Sequence, residues 1–213
     1  MMENKKYKIL FIGPQGSGKG TQAQLVAEKF GLPIFSTGNI LRQRIQSGDE
    51  LGQEIKSLID AGYLVSDELV NKIVADKIKV EGQGGYILDG YPRNLAQAEF
   101  LASQDELTHV LEIDLSDEKS IRRIGGRRTC PKCQTVYHVE YNPPKDDDLC
   151  DNDGERLIIR DDETEEALKK RLATYHEVTE PVIGFYKNKG IHHKIDGRPA
   201  IAEVFEEVMK ELE

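Results

Sequence analysis

The run Gly13-Pro14-Gln15-Gly16-Ser17-Gly18-Lys19-Gly20-Thr21 leaves this chain few choices. It follows the apolar stretch Lys8 to Ile12 and opens a helical pattern that ends at Phe30. A strand, a glycine-rich turn and a helix in that order aim successive backbone N–H groups inward. The helix N-terminus stands behind them, so the turn becomes a cradle for an anion. The GxxxxGK pattern is complete, which puts Lys19 within reach of the β and γ phosphates of a nucleotide held by Gly16, Ser17, Gly18, Gly20 and Thr21. One letter departs from the generic form. Gly20 follows the lysine and the hydroxyl comes one place later, at Thr21, so the usual magnesium ligand is displaced by a residue.

Four further short apolar runs share the character of Lys8–Ile12: Leu32–Ser36, Tyr86–Gly90, Val110–Leu115 and Ile191–Ile195. Helical patterns separate them, over Gly20–Phe30, Ser66 to about Glu81, Asn94–Ala102 and Ser116–Ile124. Thr37 is the expected cap of a helix carrying Ile40, Leu41 and Ile45. A second helix carries Leu51, Ile55, Leu58 and Ile59 and ends at Gly62. Ala167, Leu168, Leu172 and Tyr175 mark a long helix that Pro181 should bend or break, and Ile201, Val204, Phe205, Val208 and Leu212 mark a closing amphipathic one. Strands alternating with helices imply an α/β fold, a five-stranded parallel sheet covered on both faces, with ligands at the C-terminal strand ends.

With 213 residues, one folded unit with small inserted lobes is the expectation. A net charge of −9 argues against nucleic acid or an anionic membrane as partner. The chain carries no apolar leader and no membrane-length apolar run, and its three cysteines are too few for a disulfide scaffold. A soluble cytoplasmic protein is expected.

Against that acidic background the arginines need an explanation. Asp89-Gly90-Tyr91-Pro92-Arg93 follows a buried strand, where a carboxylate can hold magnesium and an arginine can enter the same cleft. Arg42, Arg123, Arg127, Arg128, Arg160 and Arg171 are spread around the rest of the chain. Guanidinium groups bind phosphate oxygens bidentately, and this set suits a highly charged transition state better than surface ion pairing. No catalytic-loop base for a hydroxyl nucleophile is evident. An acceptor that is already a phosphate needs none.

From Arg127 to about Glu163 helical periodicity gives way to a small β-like lobe. In it Cys130-Pro131-Lys132-Cys133, sixteen intervening residues and Cys150-Asp151-Asn152-Asp153 repeat a two-residue spacing. That is zinc-ribbon spacing with Asp153 in the fourth place, and four protein ligands make a closed structural site. Iron, or a reduced lobe held by hydrogen bonds, is the alternative, with His138 as rival fourth ligand. His192 and His193 are expected to be structural.

Taken together, GPQGSGKGT, Ser36–Arg42 (STGNILR), DGYPR, Gln97, Gly126-Arg127-Arg128, the cysteine lobe, Arg160–Glu163 (RDDE) and Lys169–Leu172 (KKRL) resemble the bacterial adenylate kinases of the long-lid type over essentially the whole chain. The resemblance implies the P-loop nucleoside monophosphate kinase fold. Its core would be 1–35, 66–125 and 164–213, with an AMP-binding lobe at 36–65 and a zinc-binding lid at 126–163. It implies reversible transfer from Mg-ATP to AMP giving two ADP, in a monomer that binds neither nucleic acid nor membrane. ATP would lie on the loop and Lys19, with Arg127, Val136, Tyr137 and Pro199 toward its far end. AMP would be held by Thr37, Arg42, Tyr63, Leu64, Val65, Gly90, Tyr91, Pro92, Arg93 and Gln97. Arg93, Arg123, Arg127, Arg160 and Arg171 would gather the phosphates and Asp89 would anchor hydrated magnesium. Glu163 stands where the resemblance has aspartate. Both lobes should close on binding, hinged near Gly125-Gly126, Val65 and Glu163. The nearest alternative is a GTP:AMP phosphotransferase of the same fold. A pyrimidine monophosphate kinase fits Thr37 and Gln97 less well, and a zinc-ribbon interaction module on a nucleotide switch would need no second phosphate pocket.

Overall fold

A computed structural model describes residues 6–48, 50–60, 65–160 and 163–213. In chain order the first elements are β1 (Lys8–Ile12), α1 (Lys19–Phe30), β2 (Ile34–Ser36), α2 (Thr37–Gln46), α3 (Glu50–Asp60), α4 (Asp67–Glu81), β3 (Tyr86–Asp89) and α5 (Leu95–Gln104). Then come β4 (His109–Asp114), α6 (Asp117–Gly125), β5 (Arg127–Thr129), β6 (Val136–His138), α7 (Glu165–Thr174), α8 (Glu180–Asn188), β7 (His192–Asp196) and α9 (Ile201–Leu212). Five strands form a parallel sheet in the order β2-β3-β1-β4-β7, and β5 pairs antiparallel with β6 in a separate ribbon. The expected α/β architecture is present.

Why β1 reads as an unbroken apolar run follows from its place at the centre. Leu10 and Ile12 pack with Phe35, Tyr86, Val182 and Tyr186 on one face, while Ile9 and Phe11 pack with Val26, Val204 and Val208 on the other. Both faces are covered, so alternation disappears. The chain runs outward from β1 to β2, returns through β3 and then crosses to β4 on the other side of β1. That reversal opens a crevice at the C-terminal end of β1, where the glycine-rich turn lies.

Two local expectations are corrected. Thr37 does not cap α2; Ser36 occupies the cap position without a side-chain bond to the helix end, and the Thr37 hydroxyl donates to the Gly90 carbonyl at 2.8 Å. Because that hydroxyl is buried, it serves the cross-chain contact in place of the helix end. The expected break at Pro181 takes the form of a π-helical turn, Tyr175–Thr179, between α7 and α8, with Pro181 in the first turn of α8. Proline lacks an N–H and crowds the carbonyl one turn back, and a widened turn accommodates both. The expected stop at Gly62 and the side chains of Leu51 and Ile59 lie outside the described residues.

The π turn carries His176 between two carboxylates, Glu180 Oε2 at 2.9 Å from Nδ1 and Asp117 Oδ1 at 2.9 Å from Nε2. These hydrogen bonds, with Glu180 first and Asp117 second, raise its pKa above the ordinary imidazole value. A raised folded-state pKa gives stabilisation that is complete below the unfolded value of about 6.5 and is lost as pH rises through the folded value. Thermal unfolding of the wild type should therefore lose more Tm between pH 6 and pH 8.5 than that of His176→Gln, as read by calorimetry; parallel pH profiles would refute the clamp. His192 and His193 are likewise held by glutamates, His192 Nε2 lying 2.7 Å from Glu112 Oε2 and His193 bonded to Glu211, in keeping with the structural role expected for them. No described helix is long and apolar enough to cross a membrane.

Candidate active site

The glycine-rich turn is shaped by what its glycines lack. At Gly13, with φ of 150°, a Cβ would lie 2.4 Å from the Ile113 carbonyl oxygen, so only glycine lets the loop pass the end of β4. Gly18 stands at the N-terminus of α1 with φ of 98°, a left-handed cap that L side chains resist. Ser17 N–H donates to the Pro14 carbonyl at 3.2 Å, while the Ser17 hydroxyl is buried and has no protein partner among the described residues. Lys19 folds back so that Nζ donates to the Pro14 carbonyl at 3.3 Å.

Parallel pairing of β1 with β3 sets Phe11 opposite Asp89, which delivers the carboxylate beside the turn. Asp89 Oδ2 accepts from the Ser36 hydroxyl at 3.4 Å, and Oδ1 is buried without a partner among the described residues. A Cβ on Gly20 would come into ordinary contact with Oδ2 at 3.7 Å, which places the start of α1 directly beside the carboxylate. A buried carboxylate oxygen with nothing bonded to it suits a hydrated magnesium ion.

Two cations, Lys19 and Arg93, face this carboxylate, and two more arginines stand beside them. Burial lowers the pKa of Lys19, Asp89 opposes that shift, and Arg127 and Arg93 add to it. Arg93 opens to solvent at the cleft mouth, yet enough protein surrounds its guanidinium that burial lowers its pKa too, with Asp89 opposing and Arg171 adding. Its Nε donates to the Gly90 carbonyl at 2.8 Å. An anion placed between Lys19 and Arg93 would oppose the lowering of both.

Glu163 was the residue that sequence reasoning undervalued. Its side chain is buried, accepts from Arg127 Nε at 2.9 Å and from Arg127 Nη2, and lies 3.4 Å from Arg160 Nε. One carboxylate therefore ties two arginines from opposite ends of the cysteine lobe. The available signal was its position three residues after Arg160 and directly before Thr164, which caps α7. Arg123 occupies another corner. Nη1 reaches the Ser17 carbonyl and Nη2 the Arg198 carbonyl, each at 3.4 Å, and the guanidinium lies 5.5 Å from the Tyr141 ring centre. The turn before Pro199 is thereby joined to the phosphate loop.

Other residues expected at the site make contacts within the protein. The Tyr137 phenol faces into its own lobe, accepting from Asp151 N–H at 2.8 Å and lying 3.5 Å from Cys150 Sγ, so only its backbone and the half-exposed Val136 can face a ligand. Both ends of the Gln97 amide are engaged, Oε1 accepting from Arg93 N–H at 2.7 Å and Nε2 donating to Asp67 Oδ1 at 2.6 Å. Tyr91 is buried, with its hydroxyl donating to Asn71 Oδ1 at 2.6 Å, and Val65 packs into the main core. Tyr63 and Leu64, together with Asp161 and Asp162, lie outside the described residues.

In the lobe, one ligand atom from each of Cys130, Cys133, Cys150 and Asp153 falls within 4.8 Å of the others. Cys133 Sγ is 3.5 Å from Cys150 Sγ, and Cys130 Sγ is 3.4 Å from Asp153 Oδ1. The Cys133 N–H points at Cys130 Sγ at 3.4 Å, the bond that a thiolate in a knuckle accepts. His138 does not join the group. Its Nδ1 accepts from the Glu140 and Tyr141 N–H groups at 3.0 and 3.2 Å, and its ring covers Gly126, where a Cβ would meet Cε1 at 2.5 Å.

Comparison with known proteins gives the family. Residues 11–191 match the family model described as adenylate kinase. The chain is 45% identical over 211 residues to the adenylate kinase of Caldanaerobacter subterraneus, covering 96% of each chain. It is 45% identical over 210 residues to that of Methanothrix thermoacetophila, covering 96% of this chain and 97% of the relative. Identity to the adenylate kinase of Lachnospira eligens is 42% over 211 residues, covering 96% and 99%.

Proposed function

The chain belongs to the adenylate kinase family and transfers a phosphoryl group between ATP and AMP, and from that premise we propose how its residues divide the work. The observation that carries the reading is the pair Lys19 and Arg93 beside Asp89, with Arg127 near Lys19 and Arg171 near Arg93. ATP enters as its magnesium complex with its β and γ phosphates on the Gly13–Thr21 backbone and Lys19, and the buried Asp89 carboxylate would hold the ion that comes with it. Arg127 and Arg160, aligned by Glu163, cover the transferring group from the lid. Arg123 holds the donor side near Arg198-Pro199. Thr37, Arg42, Gly90–Arg93 and Gln97 hold AMP, and for this the Gln97 amide exchanges its present partners for the base. The AMP phosphate oxygen, already anionic, attacks in line. Catalysis is then positioning and charge neutralisation with water shut out.

We assign residues 36–65 as the acceptor lobe and 126–163 as the lid, closing about Gly125-Gly126, Val65 and Glu163. The set of three thiols and a carboxylate fits zinc, which supplies charge balance and rigidity to a lobe with little core of its own. Cys130, Cys133, Cys150 and Asp153 would hold it.

The test is diphosphate formation for each triphosphate donor paired with each monophosphate acceptor. ADP should form fastest from ATP with AMP. Equal rates with GTP, a donor the relatives give no support for, or with a pyrimidine monophosphate, would overturn the reading. So would ATP hydrolysis that proceeds without AMP.

A further inference from the structure

The first knuckle of the cysteine lobe leans across the cleft onto α2. Gln134, directly after Cys133, accepts from Arg42 Nε at 3.0 Å, and Gln46 Nε2 donates to the Pro131 carbonyl at 3.3 Å. Gln134 is also one of two described residues other than glycine with positive φ, at 62°. A glutamine held in the left-handed region is disfavoured by its own Cβ, and glycine would take that conformation freely. Something other than the local turn must favour the side chain.

Its contacts name that role. Gln134 Nε2 donates to the Pro131 carbonyl at 2.8 Å, which pins the amide to the knuckle and turns Oε1 outward to Arg42. The guanidinium is gripped from its other side by Asn39 Oδ1 and lies flat over Gly38, where a Cβ would meet Nη1 at 3.2 Å. The Asn39 bond comes from α2 itself, and the Gln134 bond crosses from the other lobe.

We infer that Gln134 is a positioning residue for the acceptor: it reaches from the cysteine knuckle to orient Arg42, so that the acceptor site reaches its full affinity only when the lid lies over it. This rests on the assignment of Arg42 to AMP. The left-handed backbone is the cost of carrying a side chain where the turn alone would favour glycine.

Two variants separate this from a merely structural role. Gln134→Gly removes the side chain and relaxes the backbone; Gln134→Ala removes the side chain and keeps the strained backbone. Both should raise the KM for AMP by about three- to tenfold, the loss expected for one ordinary hydrogen bond, with the KM for ATP and the metal content unchanged. In Tm they should diverge, the glycine variant at or above wild type and the alanine variant below it. A KM for AMP that stays at the wild-type value in Gln134→Gly, or that follows Tm across the two variants, overturns the inference. Arg42→Ala distinguishes the deeper failure. If it raises the KM for AMP while Gln134→Gly does not, only the inference falls; if Arg42→Ala leaves it unchanged, the assignment of the AMP site falls as well.

Discussion

Replacing Lys19 by methionine should lower kcat for ADP formation by about a thousandfold or more, the magnitude typical of removing a fixed cation from a phosphoryl-transfer site. Methionine keeps most of the length of the stem and removes the charge, so the turn and α1 stay filled. The folded state should not suffer. Burial already pushes the Lys19 ammonium below its ordinary pKa, Arg127 and Arg93 push the same way, and Asp89 alone opposes them. In the unliganded enzyme the charge is therefore a liability that phosphate relieves on binding. Calorimetry of unliganded Lys19→Met should show a Tm equal to or above wild type, alongside the collapsed rate. A variant retaining a tenth of wild-type turnover would remove Lys19 from the centre of the reaction. One with lowered Tm would contradict the charge argument.

The largest effect on stability should come from Cys150→Ser. The buried apolar cluster of the lid consists of Cys130, Tyr137, Cys150 and Leu157, so two of its four members are proposed metal ligands. Meanwhile Val136, Val139, Tyr141, Leu149, Ile158 and Ile159 are exposed on the same lobe. Hydrophobic burial alone cannot hold such a lobe, and structural zinc contributes on the order of 10 kcal/mol to small isolated zinc peptides. Elemental analysis should find about one zinc per chain in the wild type and a small fraction of that in the variant. Unfolding should split, with a first transition about ten degrees or more below wild type and a core transition near the original. The core should hold because the sheet and its two apolar layers share no ligand with the lobe. Equal metal content in wild type and Cys150→Ser would end the zinc assignment, and an unchanged single transition would show that the lobe needs no metal.

Legibility varied with the distance over which each feature is decided. The five strands of the sheet, the helices between them and the phosphate turn follow from patterns within a few residues, and those described lie within about two residues of where the periodicity puts them. The cysteine cluster was readable for a related reason, because a two-residue spacing lets one turn present both ligands. Thr37 shows the limit. Its type and place suit a helix cap, but a carbonyl from the loop after β3 comes within 2.8 Å of the same hydroxyl and takes it.

What the sequence determined by itself was therefore the elements, the glycine-rich turn at Gly13–Thr21 and the paired spacing of Cys130, Cys133, Cys150 and Asp153, each set by local backbone geometry and side-chain chemistry. Only the tertiary structure decided which charges meet. Glu163 binds Arg127 across 36 residues of chain, the Tyr137 phenol turns inward to Cys150, and Gln134 reaches Arg42 from the other lobe. Those pairings depend on where separate backbones place their side chains once the sheet order and the fold of the lid are formed. No short window of sequence carries that information, because the partners are brought together only by packing at a distance.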